Sequence, residues 1–162
     1  MTVHLVHLDR ATFQALADED LRRAEQRIGL PVPSAFAEAT DIWRYMLQLL
    51  EDPENAPWLM HAVVVDGTIV GNAGFKGRPV EGQVELGYRI TSEHRRRGHA
   101  TAAARLLVDR ARLEPDVRRV IARIHPDNAL SVKVVTGAGF LPDGEHLHPR
   151  WERQLQLAHD LR

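Results

Sequence analysis

The stretch from Trp58 to Lys76, WLMHAVVVDGTIVGNAGFK, most limits how this chain can fold. Apolar residues run on both sides of the pair Asp66-Gly67. An Asp-Gly pair supplies the two residues of positive φ that a tight two-residue turn requires. The segment therefore predicts a β-hairpin.

A further strand and a helix follow this hairpin. In GQVELGYRIT, residues 82–91, apolar and other residues alternate, as they do along a half-buried strand. One face holds Val84, Leu86, Tyr88 and Ile90, and the other holds Gln83, Glu85, Gly87 and Arg89. A helix is predicted from about Gly98 to Leu113, because it must end before Pro115.

The other predicted elements complete an alternating order of strands and helices. They are a strand at Val3–Leu8, helices at 11–29 and 33–52 (the second with Ser34 as N-cap), a strand at 118–125, a short helix at 128–139 and a strand pair within 139–157. The order is strand, two helices, three strands, helix, strand, helix and two strands. It predicts an α/β fold with a mixed sheet and a central strand–helix–strand crossover.

The composition is that of a globular protein. The chain has 162 residues, 44% apolar and 27% charged, which predicts a single domain over residues 1–162. No apolar run approaches the roughly 20 residues that span a bilayer, and the first residues do not resemble a signal peptide. Cysteine is absent, so there is no disulfide, thiolate metal site or cysteine nucleophile. We expect a cytoplasmic protein with no membrane partner, either a monomer or a homodimer.

Charge is distributed unevenly, although the net charge is −1. Residues 1–60 hold ten acidic side chains and five arginines, whereas residues 91–125 hold nine arginines and four acidic side chains. These segments are either solvated helical faces or a basic site for an anion beside an acidic site for a cation.

The sequence EHRRRGHATAAARLL, from Glu93, favours an anion site. The first turn of a helix has free amide N–H groups, which bind a phosphate if the backbone can approach it closely. Gly98 and Ala100 leave room for that approach, and three arginines precede them. The alternative is a solvated basic helix start. The preceding strand and the spacing Arg-x-x-Gly-x-Ala favour the anion.

These residues carry a resemblance to a known family. GYRITSEHRRRGHATAAARLL resembles the acetyl-CoA-binding segment of the GNAT superfamily of N-acetyltransferases, and IHPDNALSVKVVTGAGF is similar to the segment that follows it there. The two helices after the first strand most resemble the RimJ/RimL-type branch. The resemblance covers nearly the whole chain, and it implies a mostly antiparallel central sheet flanked by helices, with acetyl-CoA as cosubstrate.

The resemblance also implies cofactor-binding positions. The diphosphate would lie on backbone amides, and the pantetheine arm would pair with the central strand like an extra strand. The residues for the diphosphate are Arg95, Arg96, Arg97, Gly98, His99, Ala100 and Thr101. Those for the arm are Tyr88, Arg89, Ile90, Asn128 and Ser131.

Two residues are candidates for catalysis. Glu85 would act as base or orient the amine, through a water if necessary, unless it is only an exposed or ion-paired strand residue. Ser131 would assist the departing thiolate, unless it only caps its helix or contacts the cofactor. Many family members place a tyrosine acid where this chain has Val135. That departure keeps open a non-catalytic CoA-binding or regulatory module.

The acceptor is expected to be a primary amine, either a protein amino terminus or a small amine such as a polyamine, amino acid or aminoglycoside. Acidic residues of the first helices would favour a cationic acceptor; they include Glu19, Asp20 and Glu38. The second helix could line the acceptor pocket, although Trp43, Tyr45 and Trp58 are expected to be packing residues.

Metal and nucleic-acid functions are not favoured. His94 with His99, and His146 with His148, lack a supporting carboxylate pattern for a metal site. The arginines lack interleaved aromatic residues, and the isoelectric point is near 6.8. His125, at a strand end, faces the predicted cleft.

Overall fold

Seven strands and six α-helices form the part of the chain that the computed structural model describes, residues 2–150 and 152–162. The strands are β1 (Val3–His7), β2 (His61–Val65), β3 (Thr68–Phe75), β4 (Gln83–Ile90), β5 (Arg119–Ile124), β6 (Leu141–Leu147) and β7 (Arg153–Asp160). The helices are α1 (Arg10–Ala17), α2 (Leu21–Ile28), α3 (Ser34–Glu38), α4 (Thr40–Leu49), α5 (His99–Arg112) and α6 (Ala129–Gly137). Short 3₁₀ turns occur at Pro53–Trp58 and Ser92–His94. Trp151, within the predicted strand pair, lies outside the described residues.

The strands form one sheet in the order β1-β2-β3-β4-β5-β7-β6. Every pairing is antiparallel except that of β4 with β5. The predicted mixed, mostly antiparallel sheet is thus confirmed, and α5 forms the predicted crossover from β4 to β5. No helix among the described residues combines the length and hydropathy needed to cross a membrane.

The hairpin prediction is confirmed by the backbone of its turn. Asp66 has φ +49° and Gly67 has φ +77°, as the two-residue turn requires. The prediction that the strand begins near Trp58 is wrong, because residues 53–58 form a 3₁₀ turn and β2 begins at His61.

The prediction of two long amino-terminal helices is wrong, because each is broken. The first breaks before Asp20, whose carboxylate accepts a hydrogen bond from the Arg23 amide at 3.1 Å and caps α2. The second breaks at Ala39, between α3 and α4. Ser34 is not an N-cap, since Pro33 holds that position and no side chain caps α3.

Apolar side chains cover both faces of the sheet. Residues of α5 pack with those of β3, β4, β5 and β7 in one buried cluster. A second cluster joins α1 and α4 to β2, and Trp43 lies at its centre with no exposed surface. Its indole N–H donates to the Phe36 carbonyl at 2.8 Å, so this buried polar group has a hydrogen-bond partner.

The parallel pairing of β4 with β5 is short, and this positions the functional site. Only Gln83–Glu85 pair with Arg119–Ile121. Beyond these three pairs the strands separate, while β4 keeps its pairing with β3 and β5 keeps its pairing with β7. The wedge between them leaves the β5-facing edge of β4 without a strand partner from Leu86 to Ile90. At the end of this edge, the Ile90 carbonyl accepts a hydrogen bond from the Arg95 side chain.

Candidate active site

A cleft of about 1230 Å³ extends from the open edge of β4 to the first turn of α5. Residues of β4, the loop before α5, α5 itself and α6 line it. They include Tyr88, Arg89, Ile90, His94, Arg95, Arg96, Gly98, His99, Ala100, Thr101, Asn128 and Ser131. The structure therefore brings together almost all the residues predicted to bind a cofactor. Arg97 is exposed and does not line the cleft.

The start of α5 presents free backbone N–H groups to this cleft. Gly98 is its N-cap, with φ +81°, and no side chain caps the helix. The first amide of this helix to bond inside it is that of Ala102, which donates to the Gly98 carbonyl at 3.0 Å. The amides before Ala102 in the first turn are thus available to an anion.

The loop that leads into α5 is held in an uncommon conformation. Arg96 has φ +62°, a value that residues other than glycine seldom adopt. The Nε of Arg95 donates to the Ile90 carbonyl at 2.9 Å, and this bond ties the loop to the end of β4. Arg96 and Gly98 together turn the chain so that the start of α5 faces the cleft.

The start of α6 is capped, in contrast to that of α5. Asn128 is its N-cap, and its side-chain oxygen accepts from the Ser131 amide at 3.1 Å. The alternative in which the Ser131 side chain caps the helix is therefore wrong. The Tyr88 hydroxyl donates to the Ser131 carbonyl over a long 3.4 Å contact, and burial raises the pKa of that phenol.

A smaller chamber of about 290 Å³ adjoins the cleft. Four residues line both spaces: Tyr88, Arg89, Asn128 and Ser131. The chamber is also lined by Ile42, Tyr45, Met46, Met60, Asn72, Lys76, Leu86, Gly87, Ala122, Arg123, Ile124 and His125. The four shared residues mark the junction at which a molecule in the cleft could react with one in the chamber.

The second predicted helix does contribute to this chamber, through α4. Trp43 and Trp58 are buried, as expected of packing residues. Tyr45 was expected to pack as well, but the residue is 44% exposed and lines the chamber. His125 lines the chamber too, and its Nδ1 accepts a hydrogen bond from the Asp127 amide at 3.1 Å.

Glu85 stands at the apex of the wedge, in the last β4–β5 pair. One carboxylate oxygen lies 2.8 Å from the Lys76 Nζ, and the other lies 3.3 Å from an Arg123 guanidinium nitrogen. Its side chain is 19% exposed and is not among those lining the chamber. Glu85 is therefore an ion-paired strand residue beside the chamber, and each of its carboxylate oxygens has a cationic partner.

Lys76, directly after β3, and Arg123, in β5, also line the chamber, and neither was predicted from the sequence. The sequence around these two residues gives little sign of their position, because they meet Glu85 only through the pairing of β4 with β3 and β5. Among the described residues, no group of three or more histidine or acidic side chains could hold a metal ion.

Two solved acetyltransferases have a similar fold. An aminoglycoside acetyltransferase AAC(6')-Ib, solved with coenzyme A and kanamycin, superposes with a TM-score of 0.70 at 14% identity, over 98% of this chain and 95% of that one. RimL, a ribosomal L7/L12 α-N-protein acetyltransferase solved with coenzyme A, gives a TM-score of 0.70 at 16% identity, over 99% and 94%. At these identities the likeness shows the fold.

Sequence comparison adds the family. YjdG of Bacillus subtilis (strain 168), described as an uncharacterized N-acetyltransferase, is 39% identical over 74 residues, which are 45% of this chain and 44% of that protein. The match therefore spans less than half of this curated relative. The model of the acetyltransferase (GNAT) domain matches residues 2–141, most of the chain. This chain belongs to the GNAT acetyltransferase family.

Proposed function

We propose that this protein transfers the acetyl group of acetyl-CoA to a primary amine, without a covalent enzyme intermediate. The observation that carries the proposal is the pairing of an open β4 edge with an uncapped, glycine-led helix start in one cleft. A linear amide-containing arm needs an open strand edge, and a diphosphate needs free amides at a helix start. The residues present therefore fit coenzyme A.

The binding roles follow from this fit. The amides from Gly98 to Thr101 would hold the diphosphate, and Arg96 would add counter-charge. The edge of β4 from Tyr88 to Ile90 would pair with the arm. The reactive end would then reach the junction, and the amine would enter from the smaller chamber. RimL and AAC(6')-Ib, whose names describe acetyltransferases acting on a protein α-amine and on aminoglycosides, support an amine acceptor but differ over which one.

The chemistry requires a neutral amine. The amine nitrogen attacks the thioester carbonyl carbon, the carbon–sulfur bond breaks, one proton leaves the nitrogen and one reaches the sulfur. At pH 7 a lysine amine costs about 4.6 kcal/mol to deprotonate, whereas an α-amine costs only about 1 kcal/mol. An α-amine thus makes the smaller demand on a base. Glu85, with both oxygens paired, would accept that proton through a water that reaches the chamber.

Two hydroxyls at the junction are candidates to assist the thiolate. Ser131 is the one that the family pattern indicates. Tyr88 is the second. Burial raises the pKa of its phenol above the ordinary value of about 10, but a phenol gives up a proton more readily than a serine hydroxyl. Val135, at the position of the usual tyrosine, is fully buried and offers no proton.

One assay tests the proposal with little background. Because the protein has no cysteine, a thiol reagent added to purified protein, acetyl-CoA and an amine detects only released coenzyme A. We expect thiol release that depends on the amine and an acetylated product of matching mass. Binding of coenzyme A without turnover of any amine would instead support the non-catalytic module, which Val135 and the paired Glu85 favour.

A further inference from the structure

The acceptor chamber is lined by cations and by no acid. Lys76, Arg89 and Arg123 are among its lining residues, and none of the lining residues in the described ranges is aspartate or glutamate. A chamber with charge of one sign concentrates ligands of the opposite sign. The sign of this charge therefore bears on which amines can enter.

Glu85, beside the chamber, does not neutralise these cations. Glu85 accepts from Lys76 and Arg123, so it compensates one of the three cations. Arg89 is exposed and makes no ion pair with any described residue. A net positive charge remains, and Arg89, which lines both the cleft and the chamber, has a guanidinium that can take a bidentate carboxylate.

The acidic residues of the amino-terminal helices do not reach this chamber. Glu19, Asp20 and Glu38 are exposed and are not lining residues. The residues that α4 supplies are Ile42, Tyr45 and Met46, none of them charged. The structure thus offers no support for attraction of a cationic acceptor by those acids.

We infer that the acceptor is a primary amine that also carries a carboxylate within a few bonds, bound through the Arg89 guanidinium. This inference rests on the proposed function. The volume of about 290 Å³ admits about ten water-sized groups, so a free amino acid or the first residues of a peptide would fit. Met46, Met60 and Leu86 provide an apolar wall for the rest of the molecule. A polyamine would bring a second ammonium against the cations, which is unfavourable.

Three peptides that differ in one charge test the inference. Met-Asp-Ala-amide, Met-Asn-Ala-amide and Met-Lys-Ala-amide have similar α-amines, so the charge of the second residue dominates the comparison. Norleucine against norleucinamide, corrected for the fraction of neutral amine, tests the free amino acid, and spermidine represents cationic amines. We expect kcat/KM to be about tenfold higher for the aspartate than for the lysine peptide, or for norleucine than for its amide.

Variants assign the effect to one side chain. Arg89→Gln should bring the ratio of kcat/KM for the aspartate peptide to kcat/KM for the asparagine peptide close to one, by raising the KM of the aspartate peptide. Arg89→Lys should restore part of this ratio. Because Arg89 also lines the cleft proposed for coenzyme A, affinity for coenzyme A is measured separately on both variants. Arg44→Gln is the matched control, since Arg44 is an exposed arginine of α4 that does not line the chamber. It should leave the ratio unchanged.

Several results would overturn the inference. A preference for spermidine or the lysine peptide would reject a carboxylate-bearing acceptor while leaving acetyl transfer intact. A ratio that survives Arg89→Gln, or a loss of coenzyme A binding in that variant, would remove Arg89 from acceptor recognition. Failure of every amine to release thiol would reject the proposed function and this inference together.

Discussion

Replacing Gly98 by alanine should have two separate effects. Backbone strain should lower the stability of the fold, and a lost hydrogen bond should lower the affinity for coenzyme A. Gly98 has φ +81° and ψ +6°, and a Cβ built there meets no protein atom within 4 Å. The folded protein therefore loses only what alanine costs in the left-handed region, about 1–2 kcal/mol. For a chain of this size that lowers Tm by about 2–4 °C per kcal/mol.

Binding of coenzyme A should suffer separately. The added methyl group stands in open space at the cleft, where we place the diphosphate. Loss of one hydrogen bond to a charged group costs about 1.5–3 kcal/mol, which weakens binding by about 10- to 100-fold. Isothermal titration with coenzyme A measures this change, and urea unfolding measures the change in stability.

Gly29 provides a matched control. It ends α2 with φ +85° and ψ +13°, and a Cβ there also meets nothing within 4 Å, but it lies outside the cleft. Gly29→Ala should lose similar stability and keep its affinity for coenzyme A. If Gly98→Ala binds coenzyme A as tightly as Gly29→Ala does, the reasoning about the helix start is refuted.

Three further predictions concern the junction and the fold. Tyr88→Phe should lower kcat by about tenfold or more with little change in KM. If Tyr88→Phe keeps the kcat of the parent protein, the hydroxyl that assists the thiolate must be that of Ser131, and Ser131→Ala should lower kcat instead. Asp9 accepts from Thr12 at the start of α1 and from Arg27 at 2.6 Å, so Asp9→Ala should cost about 1–2 kcal/mol of stability in urea at pH 7. The hydrogen bond from Arg27 lowers the pKa of Asp9, so this difference should shrink as acid protonates the carboxylate; a constant difference down to pH 2 would contradict it. Burial, and to a smaller extent the charge of His7, lowers the pKa of His61, so just below pH 6.5 the folded chain binds fewer protons than the unfolded chain. The free energy of unfolding should therefore fall as the pH drops from 7 to 5. An equal slope for His61→Gln would contradict this.

Local signals predicted the part of the fold that local chemistry controls. The Asp66-Gly67 turn, the alternation along β4 and the glycine before α5 each act within a few residues, and each prediction matches the structure. The breaks in the amino-terminal helices were missed because apolar spacing continues across them. Asp20, read as one more helical residue, caps a new helix instead.

The charge of the smaller chamber could not be predicted in the same way. Lys76, Glu85 and Arg123 are far apart in the chain, and they meet only because β4 pairs with β3 on one side and briefly with β5 on the other. The length of that parallel pairing also sets where the wedge opens. Counting charges by segment located the acids in the amino-terminal half, but only tertiary structure places them away from the chamber.

A crystal structure of the protein with coenzyme A tests the central claim most directly. The account predicts diphosphate oxygens about 3 Å from the backbone nitrogens between Gly98 and Thr101, with the arm alongside Tyr88–Ile90. Ordered coenzyme A bound elsewhere, with the start of α5 left to solvent, would contradict the account.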